Sequence, residues 1–315
     1  MRMPDFFIVG QPKSGTTALY EMLRRHPQIF MPELKEPMFL ASDLLAGLRR
    51  PSVRARPRTL EEYLALFAGA SADQRAGEAS SLYLSSHDAA ANVATLQPAA
   101  RIVAIVREPA ALLSSLHLQL LQDHNEQETD LRRALALEGE RREGRRIPPR
   151  CARPASLFYS DHVRYVEQLQ RFRDAFPAEQ ILVLLYDDFR AENAETVRRV
   201  LDFLEVDAGV EIEPVEANPT VRLRSGQLEG VVKGVYRGRG PLMRAVGTPV
   251  KKLVPRRVRR GALAITRRRV LYGERQPIGA DVELELRRRY KGEVIALSEF
   301  LGRDLVSVWG YDGID

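Results

Sequence analysis

Short apolar runs alternate with amphipathic stretches along most of the chain. Three runs are long and continuous enough for strands buried on both faces: FFIVG (6–10), RIVAIV (101–106) and QILVLLYDDF (180–189). Helical periodicity predicts helices from Thr16 to Leu23, from Pro109 onward, and over 161–176, 194–204 and 281–301. Residues 138–153 are charged and contain two prolines, so we expect an exposed, mobile connection there. The alternation predicts a P-loop-like α/β fold, in which helices cover both faces of a central, mostly parallel sheet.

The length of 315 residues suits one large domain, and we predict a single domain over residues 1–315. Charge is distributed unevenly within it. Residues 222–275 contain 16 Lys or Arg and two Glu, a local net charge of +14 in a chain whose total is +6. Gly and Pro interrupt this segment, so we predict a basic helical subregion broken by loops. Its charge would attract a phosphorylated cofactor, an acidic substrate, a membrane surface or nucleic acid, and a solvated helical face is the alternative.

Composition narrows the class of protein. Hydrophobic residues make up 44% and charged residues 29%, as in soluble globular proteins. The single cysteine, Cys151, excludes an internal disulfide framework and a cysteine-based metal cluster. The sequence has no apolar run of about 18–20 residues that could span a bilayer, and no signal peptide is evident. We therefore expect a cytoplasmic protein.

The segment between the first strand and the first helix has the spacing of a phosphate-binding loop. Gly10 and Gly15 match the two glycines of a Walker loop, but Thr16 stands where the Walker lysine would be, and Lys13 lies inside the loop. Backbone N–H groups and the dipole of the following helix favour an anion there. Lys13 adds a positive charge, and Thr16 and Thr17 add hydroxyl donors. We predict a phosphate site, with a plain strand-to-helix turn as the alternative.

Two further segments carry candidate chemistry. Arg107 follows the second apolar run, and Ser115 lies eight residues later, about two helical turns along the next helix. An arginine fork and a hydroxyl so placed could bind one phosphate together. The segment LKEPMFL (34–40) sets Lys35 beside Glu36.

These segments resemble those of the sulfotransferases that use 3'-phosphoadenosine 5'-phosphosulfate (PAPS), in particular the bacterial and heparan-sulfate-type branch. QPKSGTTAL is similar to the family's 5'-phosphosulfate loop, VREPAALLSS to its 3'-phosphate motif, and KEPMFL to its K-E-P-x-F-F segment. GEASSLYL, from Gly77, resembles a G-E-x-[ST]-P-x-Y segment, with Ser81 at the usual proline. The similarity extends in the expected order from Phe6 to Trp309.

The resemblance implies roles for the residues that match these motifs. Lys13 should stabilise the negative charge that develops on the departing phosphate. Together with Lys13, four loop residues should hold the 5'-phosphate: Ser14, Gly15, Thr16 and Thr17. Arg107 and Ser115 should hold the 3'-phosphate, which ATP lacks. No metal is expected.

On the acceptor side, the resemblance implies that Glu36 is the general base. Lys35 would orient the sulfuryl group or moderate the charge of Glu36; a surface ion pair is the alternative for these two residues. His117 is a second candidate base, although residues two apart on a helix do not share a face, so His117 and Ser115 should point differently. Three residues of the GEASSLYL segment should line the acceptor cleft: Glu78, Ser80 and Tyr83.

The predicted function is direct in-line transfer of a sulfuryl group from PAPS to a hydroxyl or amine of a small-molecule, glycan or lipid acceptor. No nucleic-acid partner is expected, and the sequence leaves the oligomeric state open. One alternative is a P-loop kinase or NTPase, but the Gly-Lys-Thr order and a Walker-B aspartate after IVAIV are missing. The other is a non-catalytic basic protein that binds anions, membranes or nucleic acid through residues 222–275, although no pattern of interleaved aromatic residues and no known nucleic-acid motif supports it.

Overall fold

A central sheet of five parallel strands organises the computed structural model, which describes residues 2–49, 56–215, 222–223, 272–273 and 279–314. In chain order the strands are β1 (Phe6–Gly10), β2 (Ile29–Phe30), β3 (Arg75–Ala79), β4 (Arg101–Val106) and β5 (Ile181–Leu185). Their order across the sheet is β2–β3–β1–β4–β5. Because the chain leaves β1 between two parallel neighbours, β3 and β4, a ligand crevice is expected beyond the carboxyl ends of these strands.

Helices connect the strands and flank the sheet. Those before β4 are α1 (Thr16–Leu23), α2 (Ser42–Ala46), α3 (Leu60–Ala65) and α4 (Ala89–Leu96). Those between β4 and β5 are α5 (Pro109–Gln122), α6 (Leu131–Ala136), α7 (Glu138–Arg142) and α8 (Tyr165–Ala175), with 3-10 turns at Pro154–Leu157, Tyr159–Val163 and Ala178–Gln180. Those after β5 are α9 (Tyr186–Ala191), α10 (Asn193–Phe203), α11 (Ala280–Leu301) and α12 (Leu305–Val308).

Both faces of the sheet are buried, which explains why its strands are apolar throughout. Phe6 and Ile8 of β1 belong to a core that includes side chains of α1 and α10. Phe7 and Val9 alternate with them along the strand, point to the opposite face, and are also fully buried. The predicted α/β fold with a central, mostly parallel sheet is therefore confirmed.

The third predicted strand is shorter than expected. The apolar run suggested a strand over 180–189, but β5 ends at Leu185 and α9 begins at Tyr186. Asp187 and Asp188 lie in the first turn of α9, where the helix dipole favours negative charge. Asp187 also accepts a hydrogen bond from Trp309 Nε1 at 2.9 Å. Polar contacts from the distant C-terminal segment thus help to hold a helix at these positions.

The expected exposed connection over 138–153 is confirmed for residues 142–146 and 149–150, but not for Glu138 and Arg141 in the helix that opens the segment, and its mobility stays a prediction. Helix α7 begins at Glu138, and Arg141 within it is only 2% exposed. Its guanidinium forms an ion pair with the equally buried Glu126, with Nη1 and Oε2 2.7 Å apart. A buried charge needs a partner, and this one comes from 15 residues earlier in the chain. The charge pattern alone therefore did not indicate that Arg141 is buried in a helix.

The chain divides into two compact units, residues 1–218 with 279–315, and residues 219–278. In the second unit, the described residues form a two-stranded antiparallel pair, β6 (Arg222–Leu223) with β7 (Tyr272–Gly273). Most of the predicted basic helical subregion, 222–275, lies outside the described residues, and the single-domain assignment stays a prediction. None of the described helices has both the length and the apolar composition to cross a membrane.

Candidate functional site

The loop after β1 has the backbone geometry of a tight strand-to-helix turn. Gly10, at the end of β1, lies so close to Leu84 that a Cβ atom on it would be 2.5 Å from the Leu84 Cβ. Gly15 has a φ of 86°, in the left-handed region that glycine adopts readily. No side chain caps helix α1, which begins directly after Gly15. Its first N–H groups are therefore the kind that bind an anion at a helix N-terminus.

Lys13 and Arg107 come together at this loop. Arg107 Nη1 donates a hydrogen bond to the carbonyl oxygen of Lys13 at 2.7 Å. Lys13 itself has a φ of 65°, a strained conformation for a residue with a side chain. The hydrogen bond from Arg107 helps to hold that peptide group in place. The two residues that the sequence assigned to opposite ends of one nucleotide are thus adjacent in the fold.

Arg107 is held from several sides and is 7% exposed. Its guanidinium lies over the Tyr186 ring, 4.5 Å from the ring centroid, and its backbone carbonyl accepts a hydrogen bond from the Tyr165 hydroxyl at 2.7 Å. The next residue, Glu108, caps helix α5 and accepts a hydrogen bond from the hydroxyl of Tyr311. Side chains from three distant segments therefore fix the turn that carries Arg107.

Buried hydroxyls lie in the predicted 5'-phosphate loop and next in sequence to Ser115 of the predicted 3'-phosphate site. Ser14 in the loop is fully buried, and Ser114 on α5 is 2% exposed. Neither Oγ atom has a hydrogen-bond partner within the described part of the chain. Ser115, the serine that the sequence singled out, is fully buried beside Ser114. Because a buried hydroxyl without a partner is unfavourable, the two unpartnered groups fit a ligand that brings oxygen atoms to them.

Thr16 and Thr17 open helix α1 with different exposure. Thr16 is 5% exposed, whereas Thr17 lines a cleft of about 690 Å³. The cleft extends from the loop to the segment that contains Glu36. Its lining includes Thr17, Lys35, Glu36, Ser81, Arg153 and His162. A volume of this size suits a small-molecule ligand.

Glu36 faces the cleft with its carboxylate already engaged. Lys35 Nζ lies 2.8 Å from Glu36 Oε1, and Ser81 donates from its Oγ to the same oxygen at 2.8 Å and from its backbone N–H to Oε2 at 3.2 Å. Glu36 has a φ of 61°, and its backbone N–H donates to the carbonyl of Ala79 at the end of β3. The strained backbone and the bonds from Ser81 fix the direction of the carboxylate.

Glu78, Ser80 and Tyr83 are fully buried and support the segment that carries Glu36. Ser80 Oγ accepts from the N–H of Met38 at 3.0 Å, and the Tyr83 hydroxyl accepts from the N–H of Leu40 at 3.1 Å. These three residues do not belong to the cleft lining among the residues that the structure describes. Their assignment to the acceptor stays a prediction, and their observed contacts are structural.

Glu78 is a fully buried carboxyl group on β3. Its Oε2 accepts hydrogen bonds from the hydroxyls of Tyr63 at 2.7 Å and Tyr83 at 2.9 Å. Burial raises the pKa of Glu78 from its ordinary value of 4.5 to about 7, although these hydrogen bonds oppose the rise. At neutral pH this carboxyl group is therefore protonated in about half of the folded molecules, whereas it is ionised in the unfolded chain.

Glu78→Gln should gain stability relative to the wild type, by on the order of 2 kcal/mol, when the pH is raised from 5 to 8. Because the pKa of Glu78 is about 7 in the folded protein, the stabilising contribution of this group to the free energy of unfolding is fully present below pH 4.5. That contribution is lost as the pH rises through 7. Glutamine cannot ionise, so the variant loses no stability through this residue between pH 5 and 8. Urea unfolding of both proteins at the two pH values measures the difference. A constant difference between them would contradict the assignment.

His117 is buried and both of its ring nitrogens are engaged. Nδ1 lies 2.8 Å from the Tyr159 hydroxyl, and Nε2 lies 3.2 Å from the carbonyl oxygen of Thr129. Burial lowers the pKa of His117. The described lining of the cleft includes Glu36 but not His117. We therefore carry Glu36 forward as the candidate base.

Sequence reasoning missed two residues of the cleft, Arg153 and His162, and the aromatic partner of Arg107, Tyr186. Arg153 lies just before the 3-10 turns that precede α8, and His162 lies within them. His162 had been assigned to the helix predicted over 161–176, which begins only at Tyr165. Tyr186 was assigned to the third strand. Within the described residues, no group of acidic, histidine or cysteine side chains could hold a metal ion.

Comparison with known proteins is consistent with this geometry. Residues 4–209 match the model of the family described as "Sulfotransferase family". The crystal structure of a sulfotransferase from Alicyclobacillus acidocaldarius is similar over 98% of this chain and 99% of that chain, with a TM-score of 0.69 and 22% sequence identity. Carbohydrate sulfotransferase 15 from Homo sapiens and from Rattus norvegicus is 42% identical over 66 residues, which are 21% of this chain and 12% of each relative. The structural similarity shows the fold, and the matched segment covers a small part of the curated relatives.

Proposed function

The chain belongs to the sulfotransferase family, and from this premise we propose that it transfers a sulfuryl group from PAPS to a hydroxyl or amine of an acceptor. The observation that carries the proposal is the contact between Lys13 and Arg107, because it joins the two motifs that would hold the opposite ends of the donor. The family match favours this function over a kinase or a non-catalytic basic protein.

In the proposed site, the backbone N–H groups that begin α1 hold the 5'-phosphate, with Ser14, Gly15, Thr16 and Thr17 forming the turn. Arg107 and Ser115 hold the 3'-phosphate, and the unpartnered hydroxyl of Ser114 is a further donor beside them. When bound, PAPS supplies the sulfuryl group, whose bond to the 5'-phosphate oxygen breaks as the acceptor oxygen or nitrogen bonds to sulfur.

Two residues would accept the acceptor's proton and stabilise the charge on the departing phosphate. Glu36 accepts the proton that the acceptor loses, because its carboxylate lines the cleft. Lys13 stabilises the negative charge on the departing phosphate oxygen. Lys35, 2.8 Å from Glu36, orients the carboxylate and adds a positive charge next to the sulfuryl group. The acceptor is a small molecule, a glycan or a lipid, and no metal takes part in the proposal.

Adenosine 3',5'-bisphosphate should raise the Tm of the protein by several degrees at concentrations far above its Kd, whereas ATP with Mg²⁺ should raise it much less. Saturating ligand stabilises the folded state by about 3–4 kcal/mol when its concentration is 100 to 1,000 times the Kd. ATP lacks the 3'-phosphate that Arg107 would bind. Differential scanning fluorimetry measures both shifts, and Arg107→Ala should remove most of the preference. An equal or larger shift with ATP would support a nucleoside triphosphate site instead.

A further inference from the structure

Arg153 lines the cleft, and within the described residues no carboxylate is paired with its guanidinium. Its Nη2 donates to the sulfur atom of Met38 at 3.3 Å, a weak acceptor, and its buried Nε has no hydrogen-bond partner among the described residues. Burial and the nearby charge of Arg56 lower the pKa of Arg153 to about 10, while Glu36 opposes this. The guanidinium therefore remains charged at neutral pH and lies within electrostatic range of the proposed base.

His162 is a second buried polar group in the same wall. It is 4% exposed, and its ring nitrogens have no well-aligned hydrogen-bond partner among the described residues, although a contact with the backbone of Ser156 opposes the fall in its pKa. Burial lowers the pKa of His162, so the ring is neutral at pH 7 and offers one N–H donor and one acceptor. Both His162 and Arg153 line the cleft.

Arg141 and Arg107, which are more buried than Arg153, each donate to an oxygen acceptor. Arg141 is paired with the carboxylate of Glu126, and Arg107 donates to the carbonyl oxygen of Lys13. A cation that is mostly removed from water and left without a hydrogen-bonded anion is unfavourable by itself. Its retention beside the proposed base suggests that a ligand supplies the missing charge.

We propose that Arg153 and His162 form a subsite for a carboxylate group of the acceptor. The planar guanidinium matches a carboxylate in a two-bond fork, and the histidine N–H can donate to one of its oxygens. The subsite would fix the acceptor so that the group to be sulfated reaches Glu36. This inference rests on the proposed function, since it assumes that the cleft holds the acceptor. The carboxylate belongs to an acidic glycan or to a small organic acid.

Isothermal titration calorimetry with two pairs of probes tests the subsite. Each pair has an acid and its uncharged counterpart: 4-hydroxybenzoate with its methyl ester, and an unsulfated chondroitin tetrasaccharide with its carboxyl-reduced form. The full-length protein is titrated with and without adenosine 3',5'-bisphosphate, so that nucleotide binding is measured separately. The variants are Arg153→Gln, Arg153→Lys and, as a matched control, Arg150→Gln, which removes an exposed charge outside the described cleft lining.

In at least one pair, the acid should bind the wild type about tenfold more tightly than its neutral counterpart. Arg153→Gln should remove this preference, Arg153→Lys should keep part of it, and Arg150→Gln should leave it intact. The pair that shows the preference identifies the glycan or the small acid as the source. All three variants should bind the nucleotide like the wild type. The subsite is disproved if neither acid is preferred, including the case of no binding, or if the preference survives in Arg153→Gln.

Discussion

Lys13→Ala should lower kcat for sulfuryl transfer by about 1,000-fold, the effect expected when a donor that stabilises developing charge is removed from a preorganised site. The change removes the ammonium group but keeps the backbone carbonyl that Arg107 binds. The turn should therefore persist, and the Kd of adenosine 3',5'-bisphosphate should change only a few-fold. Release of that nucleotide from PAPS, followed by chromatography, measures kcat.

A matched control for Lys13→Ala is Arg25→Ala, which removes an exposed cation just after the other end of α1. This control should keep wild-type turnover, so a general loss of charge cannot explain the effect. If Lys13→Ala instead kept its kcat and raised only the KM for PAPS, Lys13 would bind the donor without stabilising the departing group.

Glu36→Gln should also lower kcat by roughly 1,000-fold, because glutamine cannot accept the proton that the acceptor loses. Glutamine has nearly the same size, and its carbonyl oxygen can still accept a hydrogen bond from Ser81. Binding of adenosine 3',5'-bisphosphate should therefore remain unchanged, which separates a loss of chemistry from a loss of fold.

Glu61→Gln provides the control for this second substitution. Glu61 is exposed on α3 and lies outside the described lining of the cleft. Its removal should leave kcat near the wild-type value. Wild-type turnover in Glu36→Gln would exclude Glu36 as the base, and His117→Phe would then be the variant to measure.

The sequence predicted the central strands because their burial is continuous. β1 and β4 pack on both faces, so nearly every residue in them is apolar and the run is visible without knowledge of the fold. β3 was not predicted, because it reads RAGEA, with a glycine at its centre and a glutamate as its fourth residue. The burial of Glu78 depends on hydroxyls from Tyr63 and Tyr83, which lie 15 residues before it and five after it. The residues around Glu78 in the sequence do not show that these two hydroxyls will reach it.

The candidate site also contains residues that the local sequence predicts and residues whose role depends on distant contacts. Lys13 and Arg107 follow apolar strands that are parallel neighbours, so their approach was predictable from the positions of those strands. Arg153 and His162 lie at irregular turns. They stand out only because side-chain nitrogens of both residues lack well-aligned hydrogen-bond partners among the described residues of the folded chain. Ser80 and Tyr83 were recognised by resemblance, yet the structure shows them bonded to the backbone of Met38 and Leu40.

The bond between Tyr311 and Glu108 links residues 203 positions apart in the chain. On a ribosome, all five strands of the sheet are complete once residue 185 has been added. The turn that carries Arg107 still lacks one of its supports until residue 311 has left the exit tunnel. A nascent chain would therefore contain every strand of the sheet well before the last support of the Arg107 turn becomes available.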